Sequence, residues 1–280
     1  MSGFSPEWLA LREPVDHRSR DAGIAHQLRE HFAGWSAIRV VDLGCGTGSN
    51  LRGTFHLLPA DQSWTLVDYD RRLLEAARET ISAWADSREY GDGADLVVMK
   101  DGKRLRLRFR QADLNTGLDE ALGTAPDLVT ASAFFDLCSA EFIGRLAAAV
   151  AARRAVFFTV LTYNGQQDWS PRHPADARML TAFIGHQVGD KGFGPSVGPA
   201  AAPALGATFQ SAGYVVHEGD SPWRLDQGDQ RLIADLASGF AEAVAETRAM
   251  DADTLASWSE VVRLGAVVGH TDTLAVPGVA

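Results

Sequence analysis

Glycines at every second position follow an acid in the stretch Asp42-Leu43-Gly44-Cys45-Gly46-Thr47-Gly48. Val40 and Val41 before it are apolar and β-branched, and Leu51 is the first large apolar residue of the helix-compatible segment after it. A strand, a glycine turn and a helix start present backbone N–H groups to a ligand. The spacing narrows the choice of ligand. A dinucleotide turn needs G-x-G-x-x-G, whose third glycine lets helix and strand pack closely beside a pyrophosphate. Here Gly48 comes one residue early and Asp42 precedes the first glycine. A second apolar run, Trp64-Thr65-Leu66-Val67, ends at Asp68, about 20 residues beyond Gly48. An acid at that point can accept two hydrogen bonds from the vicinal hydroxyls of a ribose. Asp70 reads instead as the N-cap of a helix over residues 71–84.

Two later segments follow in order: Phe109-Arg110-Gln111-Ala112-Asp113-Leu114, and Pro126-Asp127-Leu128-Val129-Thr130-Ala131-Ser132-Ala133-Phe134-Phe135. Together with the glycine turn and Asp68 they resemble the ordered segments of the class I S-adenosylmethionine-dependent methyltransferases, over residues 38–161. The resemblance implies a doubly wound, Rossmann-like α/β fold with a seven-stranded, mostly parallel sheet whose last strand is antiparallel. It implies S-adenosyl-L-methionine as cofactor, lying across the carboxyl ends of the strands. Asp42, Gly44, Cys45, Gly46 and Gly48 would wrap its methionine half. Asp68 and the adjoining Tyr69 would meet the ribose, Asp113 and Leu114 the adenine, and Ser132 would stand beside the transferred methyl group. In many relatives a helix before the first strand closes over the cofactor. Arg12 or Arg20 could then bind the cofactor's carboxylate through two hydrogen bonds, or lie exposed on an amphipathic helix. Cys45 reads as a small packing residue of the turn rather than a nucleophile.

The remaining elements alternate in a way that suits this sandwich. Residues 1–36 read as a helical segment, broken near Pro14, and residues 37–161 as the cofactor-binding core. Residues 140–151 read as a helix and 155–161 as the fifth strand. Residues 201–280 complete the sheet, with helices over 201–212, 229–248 and 254–264, a strand over 214–217 and a last strand near 267–276. The helix over 229–248 carries Leu232, Leu236, Phe240 and Val244 at every fourth position. The whole chain, 1–280, reads as one domain.

Composition bounds the function. The 280 residues are 46% hydrophobic, enough for a sizeable core, and carry a net charge of −10. A chain that grips nucleic acid normally presents a basic face. The one basic cluster, Lys103 to Arg110, alternates with apolar residues after an Asp101-Gly102 turn. It reads as the solvated face of a hairpin strand paired with residues 96–99, with an RNA-binding strip as the alternative. No apolar run reaches the ~18 residues of a membrane span, and the first residues lack an apolar signal core. Two cysteines, Cys45 and Cys138, make neither a disulfide framework nor a zinc set. A cytoplasmic protein is expected, with no nucleic-acid or membrane partner; acidic methyltransferases with lids commonly form homodimers.

Between the fifth strand and the helix at Ala201 lie about 40 residues, 162–200, longer than an ordinary connection. This segment reads as a substrate cap or as a surface elaboration without chemistry. As a cap it would bring Tyr163, Trp169, His186, Lys191 and Phe193 to the acceptor, beside Phe134 and Phe135. The candidate proton acceptors are Asp136, His173 and His186. His173, His186 and Asp190 fit no standard metal-ligand spacing, and no metal is expected. Ala131-Ser132-Ala133-Phe134 stands where amino methyltransferases of DNA bases or glutamine carry Asn-Pro-Pro-Tyr. The expected function is therefore methyl transfer to a small organic molecule. The alternatives are an RNA or protein methyltransferase, or a cofactor-binding scaffold without turnover.

Overall fold

The computed structural model describes residues 4–90 and 95–278. Two helices come first, α1 (Pro6–Ser19) and α2 (Ala22–His31). The Ser5 hydroxyl caps α1 by accepting the Trp8 N–H, and Pro6 occupies the first turn, where a missing N–H removes no helical bond. The break expected at Pro14 falls instead at Arg20, whose backbone is extended, and Asp21 starts α2 by accepting the Ile24 N–H. Pro14 lies inside α1.

The chain then alternates: β1 (Ala37–Leu43), α3 (Ser49–Thr54), β2 (Asp61–Asp68), α4 (Arg71–Trp84), β3 (Ser87–Tyr90), β4 (Leu96–Lys100), β5 (Lys103–Gln111), α5 (Leu114–Leu122) and β6 (Leu128–Ser132). It continues through α6 (Ala140–Ala152), β7 (Val156–Ser170), α7 (Asp176–Gln187), α8 (Ala201–Ser211), β8 (Tyr214–Asp220), β9 (Trp223–Leu225), α9 (Gln230–Thr247), α10 (Ala252–Ser259) and β10 (Gly265–Pro277).

The strand order is β3-β4-β5-β2-β1-β6-β7-β10-β8, with β9 paired to β10. β5, β2, β1, β6 and β7 run parallel, and β10 lies antiparallel between β7 and β8. The expected seven strands are present as β5-β2-β1-β6-β7-β10-β8. Among the described residues the sheet has ten strands, because the β3–β4 hairpin extends it beyond β5 and β9 adds a short edge piece.

Both faces of the parallel strands are buried, so these strands read as nearly continuous apolar runs. Val40, Leu66 and Phe158 face one core with Trp64 and Leu28, while Val41, Val67 and Phe157 face the other with Phe142 and Phe209. Successive side chains point to opposite faces, so one strand feeds both layers. No helix among the described residues is long and apolar enough to cross a membrane.

The segment 162–200 is only partly the expected cap. β7 does not stop at Leu161 but runs to Ser170, paired with β10 from Gly265 onward. α7 then packs on α9, with the Phe183 and Phe240 rings stacked 4.5 Å apart. α10 ends at Ser259, short of the expected residue 264.

Candidate functional site

The carboxyl ends of β1, β2, β5 and β6 meet around one cavity of about 620 Å³, within the range of sites for molecules of cofactor size. The turn after β1 forms its floor. Gly44 has φ +62°, and a Cβ there would lie 2.9 Å from Cδ2 of Phe134. Gly48 has φ +80°, and a Cβ would lie 2.7 Å from Cδ1 of Ile81. Glycine is required at both points, for the left-handed backbone and for the close approach. The Cys45 N–H donates to the Val67 carbonyl at 2.9 Å, tying the turn to the end of β2.

Asp68 shapes the same turn. One carboxylate oxygen accepts the Gly46 N–H and the other the Asp70 N–H, each at 2.9 Å. Burial raises its pKa, and these backbone bonds oppose the rise. Each oxygen keeps a lone pair for a further donor. Asp113 is the N-cap of α5, accepting the Asn115 N–H at 2.9 Å. Asp70 caps α4 through the Arg72 N–H, as expected.

Gly44, Cys45 and Gly46 line the cavity, as do Asp68, Tyr69, Asp113, Leu114 and Ser132. Arg12, Phe134 and Phe193 also stand on its wall. Burial raises the Cys45 thiol well above its ordinary pKa, which keeps it protonated and unreactive.

Asp42 and Gly48, expected at the cofactor, are not on the wall. Asp42 is wholly buried behind the turn, where Asn50 Nδ2 donates to Oδ1 at 2.7 Å, and burial pushes its pKa up to about 7. Its position fixes the start of α3 rather than facing the cavity. Arg20, the second candidate for the cofactor carboxylate, is also off the wall and donates to Thr54 and Asn50.

The acceptor-side expectations divide more sharply. Only Gly192 and Phe193 of the segment 162–200 reach the cavity. Phe135 is fully buried in the core with Phe157 and Phe142. Trp169 packs edge-on against Trp258 and Phe240, because α9 and α10 cover that end of β7. His173 meets Ser257 at 3.2 Å, and the His173 N–H donates to Asp176 at the start of α7. His186 pairs with Glu246 on α9 at 2.9 Å, and Lys191 lies 3.4 Å from the same imidazole. Trp169, His173, His186 and Lys191 are therefore away from the cavity. Asp136 and Tyr163 are buried just outside it. Among the described residues no group of three or more His, Cys, Asp and Glu side chains is placed to hold a metal ion.

What closes the cavity is α1. Leu9, Arg12 and Asp16 lie on its wall, and Leu9 Cδ1 is 3.1 Å from where a Gly46 Cβ would stand. Their spacing of three and four residues puts them on one helical face, a signal readable in the sequence. Glu13 anchors this helix by pairing with the buried Arg52. Thr47 lines the cavity, and its buried hydroxyl has no hydrogen-bond partner in the protein. Ala133 (φ +50°), just past the carboxyl end of β6 and on the cavity wall, is in the left-handed region, strain of the kind that collects at functional sites.

No family model matches the chain, and no curated protein matches it. Solved structures do. The YcgJ protein of Bacillus subtilis is 14% identical with a TM-score of 0.51, over 94% of this chain and 100% of that one. A protein of Bacillus halodurans with a provisional methyltransferase designation is 10% identical with a TM-score of 0.50, over 92% and 100%. The cyclopropane synthase MmaA2 of Mycobacterium tuberculosis is 13% identical with a TM-score of 0.50, over 97% and 94%. The fold is the class I methyltransferase fold. β1 is followed in the chain by β2 on one side and has β6 on its other side, all three parallel, so the strand order reverses at β1 and opens the crevice that the cavity fills.

Proposed function

We propose that the protein binds S-adenosylmethionine in this cavity and transfers its methyl group to a small organic molecule. The observation that carries the reading is the meeting of Asp68, Asp113 and the Gly44–Gly46 turn on one wall of a single cavity. Asp68 would receive the ribose hydroxyls and Asp113 the adenine amino group. Thr47 and the turn would meet the methionine half, and Arg12 its carboxylate. Arg12 is held at 2.9 Å from Asp16, so its guanidinium is already oriented on the wall. Bound there, the cofactor supplies an electrophilic methyl group on a positively charged sulfur. The protein's own contribution is to hold the acceptor in line at short range and to exclude water beneath α1.

Charge placement favours a small acceptor over RNA. Along β5, Arg104 pairs with Asp61, Arg108 with Asp95 and Arg110 with Glu120, so three of the strip's five basic side chains are already matched by acids. The cytosol is the proposed setting. Calorimetry with S-adenosylhomocysteine and, separately, NAD tests the reading. Binding of the first and not the second is expected; tight NAD binding without a response to S-adenosylhomocysteine would end it. A protein that binds the cofactor yet methylates no acceptor would be a scaffold of the same fold.

A further inference from the structure

Arg12 and Asp16 have a second side, turned away from the cofactor cavity. Trp223 Nε1 donates to Asp16 at 3.1 Å, and the Arg12 guanidinium lies 5.2 Å from the Trp223 ring centre. The His270 ring is 5.2 Å from that indole and 6.2 Å from the Tyr163 ring. Asp136 sits in the turn after β6, next to the cavity residue Leu137 and two residues after Phe134. Gln187, the last residue of α7, donates from Nε2 to Asp136 at 2.9 Å. Asp136, Tyr163, Gln187 and His270 are exposed by only 8, 7, 6 and 6%.

Three atoms of this cluster, Tyr163 Oη, Gln187 Oε1 and His270 Nδ1, are buried and have no hydrogen-bond partner. Protein interiors leave few such atoms. Three of them fall in one cluster directly behind the wall residues Leu137, Arg12 and Asp16 rather than on the wall itself, and together they mark a site that a polar ligand can satisfy. Segment 162–200, with its helix α7, and β10 thus contribute to the acceptor side through Tyr163, Gln187 and His270, not through His186 and Lys191, which pair away from the cavity.

We propose that Asp136, Tyr163, Gln187 and His270 form the acceptor subsite, which takes an uncharged aromatic molecule by its hydroxyl or amino group. The proposal rests on the reading of the adjacent cavity as the cofactor site. Gln187 Oε1 is an acceptor without a partner and requires a donor on the ligand, while Asp136 beside it, already accepting from Gln187 and the Tyr163 N–H, can accept one more. Tyr163 supplies a donor in return; burial, and then the charge of Asp136, raise its pKa, so the phenol stays protonated. Burial, followed by the Arg12 charge, lowers His270 to about 3, so the imidazole is neutral. A carboxylate ligand would face Asp16 and Asp136, and a cation would face Arg12. The rings of Tyr163, Trp223 and Phe183, the last 6.1 Å from Tyr163, suit a flat partner.

The test uses the full chain saturated with S-adenosylhomocysteine, titrated with phenol, aniline, toluene and benzoate by calorimetry, with Trp fluorescence in parallel. Phenol and aniline should bind at least about tenfold more tightly than toluene and benzoate. Tyr163→Phe should weaken phenol binding at least about fivefold, with S-adenosylhomocysteine affinity within about twofold. It should leave Tm unchanged or raised, because the oxygen removed has no partner in the free protein. Equal binding of phenol and toluene overturns the proposal. So does a variant with lowered Tm and undiminished phenol affinity, the signature of a structural hydroxyl. If S-adenosylhomocysteine does not bind, the cofactor reading falls by itself. The probes are then titrated alone, and phenol selectivity that Tyr163→Phe abolishes would still uphold the subsite.

Discussion

Asp42→Asn isolates the behaviour of the one carboxylate that the glycine turn buries completely. In the fold Asp42 is 0% exposed, accepts one bond from Asn50, and leaves Oδ2 without a partner. Burial raises its pKa to about 7, opposed by the Asn50 bond and the charge of Arg20. An unfolded aspartate titrates near ~3.9. Because the folded pKa lies above the unfolded one, the stabilising contribution is complete below pH ~4 and is lost as pH rises through about 7. A gap of about three units at ~1.4 kcal/mol each amounts to ~4 kcal/mol over the whole range, of which ~3 kcal/mol falls between pH 5 and 8. Asparagine keeps the oxygen that Asn50 bonds and cannot ionise, but places an unpaired donor where Oδ2 was, costing about 1–3 kcal/mol. The parent has lost ~1.5 kcal/mol of this by pH 5 and ~4 kcal/mol by pH 8, so the variant should lie within about 1.5 kcal/mol of the parent at pH 5 and be more stable by about 1–3 kcal/mol at pH 8. Urea denaturation at both pH values, with m-values compared, measures this. Other buried acids such as Asp272 are present in both proteins and cancel in the difference. Parallel loss of stability in parent and variant from pH 5 to 8 would refute the reasoning.

Three further outcomes follow from the geometry. Asp113→Ala removes the α5 cap, lowering stability by about 1 kcal/mol, and also weakens S-adenosylhomocysteine binding; urea titration and calorimetry read the two effects separately. Gly44→Ala forces a Cβ against Phe134 at φ +62° and should weaken S-adenosylhomocysteine at least about tenfold, whereas unchanged affinity would show that the turn is not part of the site. His186→Ala removes the surface pair with Glu246, so stability should change by about 1 kcal/mol or less, with cofactor affinity within about twofold; a tenfold loss of affinity would return His186 to the site.

Local signals were the readable ones. The turn after Asp42 and the acid at Asp68 announce themselves because strand, turn and helix are contiguous, and both stand where the chain reverses at the carboxyl edge. The Asp70 cap is likewise set by a neighbour two residues away, whereas Asp113, expected only at the adenine, also caps α5. The roof was readable only in part: the resemblance pointed to Arg12 but not to Leu9 or Asp16. Leu9, Arg12 and Asp16 reach the cavity only after α1 packs on the turn and Glu13 meets Arg52, contacts between distant parts of the chain. Trp169 looked like a ligand-stacking ring because its shielding comes from Phe240 and Trp258, far along the sequence. The second half of β7 was hidden by its polar run and by Gly165, at φ +86°; pairing with β10 holds it in the sheet. β3, a short polar strand, and β9, three residues long, lack the alternation that reveals a strand.

The most direct test is a crystal structure of the protein grown with S-adenosylhomocysteine. The account predicts the ligand in the cavity under α1, with ribose hydroxyls on Asp68, adenine beside Asp113 and Leu114, and the homocysteine end between the Gly44–Gly46 turn and Arg12. The sulfur should point toward Ser132 and Phe134, on the side of Asp136 and Tyr163. A ligand bound elsewhere, or one lying in the cavity with its ribose away from Asp68, would contradict it.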